Sequence, residues 1–257
     1  MLSDDLNACG DLLRRGDPDR FLAAMAAPVA ARRVLFPLYA FNLEVARAPW
    51  VTQEPMIAEM RLQWWRDALE EIREGGVVRR HEVVTPLAEV LDATGAARLE
   101  ALIEARRWDI YREPFADQAA FERYIDDTSG SLLGVTARAL GPADEGVSRD
   151  AGYALGLANW VRAIPALEAA GRIPLVDGRP EALRALASEG LARLGRARAA
   201  RRKVSRAAGP AFFPLWQAGP ILARVRRVPG AVAEGALDIA PVRSRLTLML
   251  RASTGYW

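Results

Sequence analysis

Apolar residues recur at spacings of three and four along almost the whole chain, the period of amphipathic helices. Alternating Val/Ile/Thr-rich runs bounded by hairpin turns are missing, so the pattern gives no reason to expect a sheet. It predicts helices over Ser3–Arg14, Pro18–Ala26, Ala30–Ala48, Glu54–Glu74, Pro86–Ala93, Ala96–Arg112, Gln118–Leu140, Ser148–Ala169, Pro180–Ala207, Pro210–Arg227 and Pro241–Ala252. Start and stop residues support several of these. Thr85 with Pro86 reads as a cap followed by a proline at the first helical position, Asp117 caps the next long helix, and Gly141-Pro142 stops it. The linkers are short and no repeat or low-complexity hinge separates them. The expectation is one all-α domain over residues 1–257.

Composition narrows the chemistry. With 51% hydrophobic and 26% charged residues, the 257-residue chain can bury a large core and stay in solution. A net charge of +3 is too weak to imply nucleic acid as a partner. One cysteine (Cys9) rules out an intrachain disulfide, and with one histidine (His81) it rules out a Cys/His zinc cluster. A Ser-His triad would have to use His81, which sits in a loop-like stretch, GGVVRRHE. The start of the chain, MLSDDLNACGDLL, is acidic where a secretory signal would be basic. No run of about 18 apolar residues offers a membrane span.

Charge is unevenly spread. From Arg193 to Arg227 there are many arginines, one lysine (Lys203) and no acid, joined to the aromatic turn Phe212, Phe213 and Trp216. This stretch reads as a solvated face beside core aromatics, or as a surface for anionic lipid or an acidic partner.

Three stretches carry a resemblance: RRVLFPLYAFNLEVARAPW (Arg32–Trp50) followed by AEMRLQWWRDALEEI (Ala58–Ile72), YIDDTSGSLLG (Tyr124–Gly134), and GYALGLANWVRAIPALEAAGRIPL (Gly152–Leu175). Together they resemble the squalene/phytoene synthase family, which joins two isoprenoid diphosphates head to head. The resemblance implies an isoprenoid-synthase-like helical bundle around a central cavity. In that family two sets of carboxylates, one on each of two facing helices, hold the magnesium that neutralises the departing pyrophosphate. One set is D-D-x-x-D after a Tyr-Ala-Phe stretch; the other is D-x-x-E-D after Asn-x-x-Arg.

Laid on that pattern, Tyr39, Ala40, Phe41, Gly152, Ala154, Asn159, Arg162, Gly171 and Arg172 match. The expected acids do not. Their positions hold Ala46, Arg47 and Trp50 in one stretch, and Ala163, Ala166 and Leu167 in the other, with Pro165 between; the family glutamine before the asparagine is Gly156. The resemblance therefore implies no catalytic or metal-ligating residue and no cofactor. Tyr39, Phe41, Asn42, Trp50, Trp64, Asn159, Trp160, Arg162 and Arg172 are the candidates for lining the cavity or meeting a ligand. Arg162 has as its alternative a buried ion pair, and Asn159 a satisfied core amide.

Other acid pairs share a helix face: Asp67/Glu71, Glu70/Glu74, Glu100/Glu104 and Asp109/Glu113, read as solvated faces paired with arginines. Asp126-Asp127 lies inside a family-like stretch but faces no second acidic pair. A non-catalytic subgroup fits best. FNLEVA, MRLQWWRDALEEI and the RAIP of Arg162–Pro165 look like a mitochondrial assembly factor of respiratory complex I with a squalene/phytoene-synthase-like domain. That likeness implies complex I subunits or assembly intermediates as partners. It also implies a cytoplasmic location at the inner face of the cytoplasmic membrane, in a bacterial counterpart. The alternatives are a magnesium-dependent prenyl transferase with a rearranged metal site, and an isoprenoid- or quinone-binding carrier.

Overall fold

A computed structural model describes residues 3–257. Among them the chain is all-α: twelve α-helices joined by short 3-10 turns, with one isolated bridge between Ala143 and Val204. The helices are α1 Asp4–Gly16, α2 Pro18–Ala26, α3 Arg32–Arg47, α4 Pro55–Glu74, α5 Val84–Ala88, α6 Ala93–Arg106, α7 Gln118–Ile125, α8 Ser131–Leu140, α9 Glu145–Ala169, α10 Pro180–Ala199, α11 Ala218–Arg227 and α12 Pro241–Thr254.

Caps set the boundaries. Ser3 accepts from the Leu6 amide, Asp117 from Ala120 and Asp144 from Val147, each satisfying a first-turn donor that the helix itself leaves unpaired. Gly75 ends α4 in the left-handed conformation (φ 70°) that a side chain would strain.

Several boundaries differ from the sequence pattern. Asp92 caps α6 through the Gly95 amide, so that helix begins three residues before the predicted Ala96. It gives way at Arg107–Asp109 to a 3-10 turn, well short of Arg112. Thr85 does not cap α5: its hydroxyl accepts from Arg80 and from the His81 amide, and the helix already begins at Val84. The end of the predicted Pro180–Ala207, beyond Ala199, and the first part of Pro210–Arg227, before Ala218, are 3-10 turns and loop instead. Pro210 and Pro214, which carry no amide N–H, keep Gly209–Trp216 from forming the full set of α-helical hydrogen bonds.

The predicted helix Gln118–Leu140 is continuous in path but widens to a π turn at Asp126–Gly130. The reason lies on α9, which crosses this turn. A Cβ on Gly152 would sit 2.6 Å from the Gly130 Cα, and one on Gly156 2.7 Å from the Ser129 Cβ and 2.8 Å from Ile125 Cγ2. Two glycines one turn apart thus let the backbones meet without a side chain between them, and Thr128 closes the widened turn by donating to the Tyr124 carbonyl (2.6 Å).

Two buried clusters form the core. One gathers α1, α3, α4, α5 and α6 around Leu13, Leu35, Phe41, Leu69 and Leu99; the other gathers α7 to α11 around Phe121, Tyr153, Leu157, Phe212 and Leu222. The space between α3, α6, α7 and α9 is left open.

Replacing Gly152 by alanine gains helix propensity but drives a methyl into backbone that no rotamer change can move aside. The expected net result is a loss of about 1–2 kcal/mol, read as a lower denaturation midpoint with an unchanged slope in urea. An unchanged or raised midpoint would mean that the two helices are not in contact at this point.

Candidate functional site

The open space is a cavity of about 420 Å³. Asp17 and Arg20 of the α1–α2 corner close one side, and α3 contributes Asn42, Leu43, Ala46 and, just past its end, Trp50. Arg106 and Asp109 enter from the end of α6, Tyr124, Ile125, Thr128 and Ser129 from α7 and the π turn. The facing wall is one stripe of α9: Gly156, Asn159, Trp160, Ala163, Ala166 and Leu167, at the three- and four-residue spacing of a single helix face.

Five of the six positions at which the family pattern places acids therefore meet across one cavity. Ala46 and Trp50 lie on the α3 side, and Ala163, Ala166 and Leu167 on α9; Arg47 alone lies outside, paired to Glu44 at 3.4 Å. The side chains at these five positions offer no carboxylate. Among the described residues no cluster of three or more His, Cys, Asp or Glu is arranged to hold a metal ion. The glutamine position is closed as well. Any side chain at Gly156 would collide with Ser129 and Ile125.

The acids that do line the cavity are Asp17 and Asp109, and each is held by an arginine. Asp17 caps α2 through the Arg20 amide and binds the Arg20 guanidinium at 2.6 Å, which also lies 5.7 Å from the Tyr39 ring. Asp109 is 2% exposed. It accepts from Arg106 at 3.1 Å and from the Tyr124 hydroxyl at 3.1 and 3.0 Å, and Arg106 also donates to the Tyr124 oxygen at 2.7 Å. Burial pushes the Tyr124 phenol well above its ordinary range, so it stays protonated and donates. The buried carboxylate is thereby paired with a cation and hydrogen-bonded, the condition for keeping a charge out of water. Beneath this triad lie Trp108, Phe115, Phe121 and Trp160, with Trp108 and Phe115 stacked at 4.2 Å. Trp160 also donates from Nε1 to the Pro174 carbonyl at 2.9 Å. Ser129 presents a buried hydroxyl to the cavity with no partner.

The candidates from the sequence divide. Asn42, Trp50, Asn159 and Trp160 line the cavity. Trp50 is 44% exposed and forms its rim. Tyr39, Phe41 and Trp64 do not line it. Phe41 packs edge-on against Trp65 at 5.4 Å inside the α3–α4 core, and Tyr39 is buried beneath Arg20 with an unpartnered hydroxyl. Trp64 sits in a separate group with Trp65, His81 and the Arg79 guanidinium, 4.8 Å away. His81 accepts from the Val83 amide at 3.1 Å and closes a turn there.

Arg162 turns to the other side of α9, where it meets Asp19 at 2.9 Å and Asp238 at 3.3 Å, an ion pair that is partly exposed where the sequence alternative was a buried one. Arg172 is buried at the back of the rim. It donates to the carbonyls of Trp108, Asp109 and Tyr111 and lies 5.0 Å over the Trp50 ring. Desolvation lowers its pKa from the ordinary arginine value. It fixes the segment carrying Asp109 and faces a neighbouring depression rather than the cavity.

Of the acid pairs, Glu71 is held by Arg79 at 2.7 Å, Glu70 and Glu100 by Arg73, and Glu104 by Arg66 and Arg107, as solvated helix faces. Asp109 departs from that expectation because the chain turns inward after Arg106. Asp17, Arg20, Arg106 and Tyr124 were not singled out as site residues. The only signals were the i, i+3 spacing of Arg106 and Asp109 and the position of Tyr124 at the head of a family-like stretch.

The architecture is an isoprenoid-synthase-like α-helical bundle. It superposes on a dehydrosqualene synthase solved in complex with ligand (TM-score 0.64, 15% identity, 97% of this chain and 95% of that one). It also superposes on squalene synthase HpnC from Alicyclobacillus acidocaldarius (TM-score 0.70, 19% identity, 87% and 93%). At those identities the likeness concerns the fold alone. The squalene/phytoene synthase family model matches residues 13–176, and the chain belongs to that family. In sequence it is similar to the Drosophila melanogaster protein named NADH dehydrogenase (ubiquinone) complex I, assembly factor 6 homolog, 31% identical over 166 residues, which is 61% of this chain and 50% of that protein. The mouse and human proteins named assembly factor 6 are each 27% identical over 161 residues, 61% of this chain and 48% of theirs. The chain spans about half the length of these curated relatives.

Replacing Asp109 by alanine would strip the buried Arg106 guanidinium and the Tyr124 hydroxyl of their acceptor. A loss of about 3 kcal/mol in unfolding free energy is expected, measured by urea titration. Asp109 and Arg106 replaced together by leucine and methionine should recover a good part of it, since apolar groups of similar volume need no partner. A double variant as unstable as the single one would show that the pair is not what Asp109 stabilises.

Proposed function

We propose that this chain is a non-catalytic member of its family that acts in the assembly of respiratory complex I, binding its subunits or assembly intermediates. The observation that carries the reading is the cavity wall: the positions facing each other across it hold Ala46, Trp50, Ala163, Ala166 and Leu167 where magnesium-dependent relatives need acids. Ionising an allylic diphosphate requires its leaving charge to be neutralised by metal held on facing carboxylates. The two acids that remain, Asp17 and Asp109, are already engaged by Arg20 and Arg106. The similarity to proteins named as complex I assembly factors supports the same reading and supplies the partner. No cofactor is needed for it. The location that follows is the cytoplasm, at the inner face of the cytoplasmic membrane into which complex I is built. No helix among the described residues is long and apolar enough to cross that membrane.

The basic stretch Arg193–Arg227 exposes no large apolar side chain, and three of its ten basic residues are matched by acids, so it offers charge to a membrane surface but nothing to its acyl region. Arg193 meets Glu189 at 2.9 Å, Arg196 meets Asp150 at 3.0 Å, and Lys203 meets Asp144 at 3.5 Å.

One observation favours a second reading, an isoprenoid- or quinone-binding protein. The cavity is walled by Leu43, Ile125, Trp160 and Leu167 and could shelter an apolar chain. Magnesium would enter only if the chain turned over a prenyl diphosphate.

Deletion of the gene is expected to lower NADH:quinone oxidoreductase activity of isolated membranes, with restoration by the wild-type copy. Normal activity in the deletion strain would sink the assembly reading. Purified protein incubated with magnesium and radiolabelled farnesyl or geranylgeranyl diphosphate is expected to release no more pyrophosphate than a boiled control. Release above the control would restore the transferase reading. A quinone or polyprenyl lipid co-purifying in stoichiometric amount would favour the carrier.

A further inference from the structure

The helix α12 is amphipathic in the wrong sense for a helix packed on a core. Its buried side carries Leu248 and Ser244, whose hydroxyl receives the Trp216 Nε1–H at 2.8 Å. Its solvent side carries Val242, Leu246, Met249 and Leu250, 72%, 60%, 65% and 63% exposed. Their spacing places them in one stripe roughly 100° wide, opposite the side that packs against the 3-10 turn Gly209–Trp216 and α2. A core helix would have these residues inward; here they are held out by the tertiary fold.

The charges frame the stripe. Arg243 borders it on one edge and Arg245 on the other, both exposed and neither in an ion pair among the described residues, in a protein where many arginines are paired. From Ile239 to the last residue, Trp257, there is no acid. The stripe is convex, lies on a single helix and contains no aromatic residue. A protein partner is usually engaged through a groove or aromatic anchors, and an acidic one would leave the aliphatic stripe unmatched. Aliphatic side chains in the middle with arginines that can extend to either side suit the boundary between acyl chains and anionic headgroups.

We infer that α12 is a membrane-docking helix that lies in the plane of an anionic phospholipid surface, with Val242, Leu246, Met249 and Leu250 in the acyl boundary and Arg243 and Arg245 on lipid phosphates. The inference gives the proposed location a physical contact, and it moves that contact from the 193–227 stretch, which exposes no large apolar side chain, to residues 241–254. It does not depend on what the cavity binds or on complex I.

The test is co-flotation of the full chain with vesicles of phosphatidylcholine alone and with 30% phosphatidylserine. Binding to the anionic vesicles is expected, weakening as salt is raised. Leu246→Ser with Met249→Ser should reduce the partition coefficient roughly tenfold, and Arg243→Ser with Arg245→Ser roughly fivefold per arginine. All four side chains are exposed, so the thermal transition of each variant should match the wild type; the arginine pair serves if the serine pair does not fold. Absence of wild-type binding, or binding that neither variant changes, overturns the proposal. A dimer in light scattering that the Leu246/Met249 variant abolishes, with vesicles left unbound, overturns it in favour of a second copy on this face. None of these outcomes bears on the complex I activity of a deletion strain, so the two readings fail separately.

Discussion

The close crossing of α9 over the π turn at Asp126–Gly130 is the constraint on which the rest depends. Gly152 and Gly156 bring the backbone of α9 to within a distance of Gly130 and Ser129 that admits no Cβ. This sets how deeply α9 sits, and so how its stripe from Gly156 to Leu167 faces α3. The widened turn accommodates the approach by adding a residue to the helical path, a device common where helices bend around functional sites. Without it, Ile125 and Ser129 would not form the cavity's floor opposite Asn42 and Ala46.

Polarity in the cavity is arranged in closed units. Asp17 with Arg20, and Asp109 with Arg106 and Tyr124, each neutralise themselves before any ligand arrives. Arg172 secures the second unit from behind by donating to the backbone around Asp109. Such units orient walls and tolerate burial, but they leave little free charge to offer a diphosphate or a cation. The unpartnered Ser129 hydroxyl and the amides of Asn42 and Asn159 are the remaining polar handles, suited to a neutral group. The cavity between α3 and α9 is thus lined by paired rather than free charge.

Much of the surface up to α10 repeats this economy of charge. Arginines of α4, α6, α8 and α10 find acids on neighbouring elements. On α12, as on α11, the arginines stand outside ion pairs among the described residues, and on α12 large apolar residues face outward as well. The last helix is attached to the bundle through a few contacts, Leu248 and the Ser244–Trp216 bond among them, which leaves its outer side available.

By itself the sequence determined the helical class, most helix starts and the family frame. These are encoded in local signals: the three- and four-residue period, the Asp117 cap, Pro18, Pro55 and Pro180 at helix starts, and fixed spacings around Tyr39 and Asn159. It also gave the residues standing at the expected acid positions, since these follow from register alone. Only the tertiary structure decided which way side chains point once helices cross. Period cannot tell that Phe41 turns into the α3–α4 core while Asn42 turns to the cavity, or that Arg162 reaches Asp19 across the bundle. Nor can it tell that Asp109 is buried, because a 3-10 turn after Arg106 breaks the helical phase on which the solvated-face expectation rests. The outward stripe of α12 is the same lesson in reverse: amphipathic spacing specifies a face, and the neighbours decide whether that face is covered.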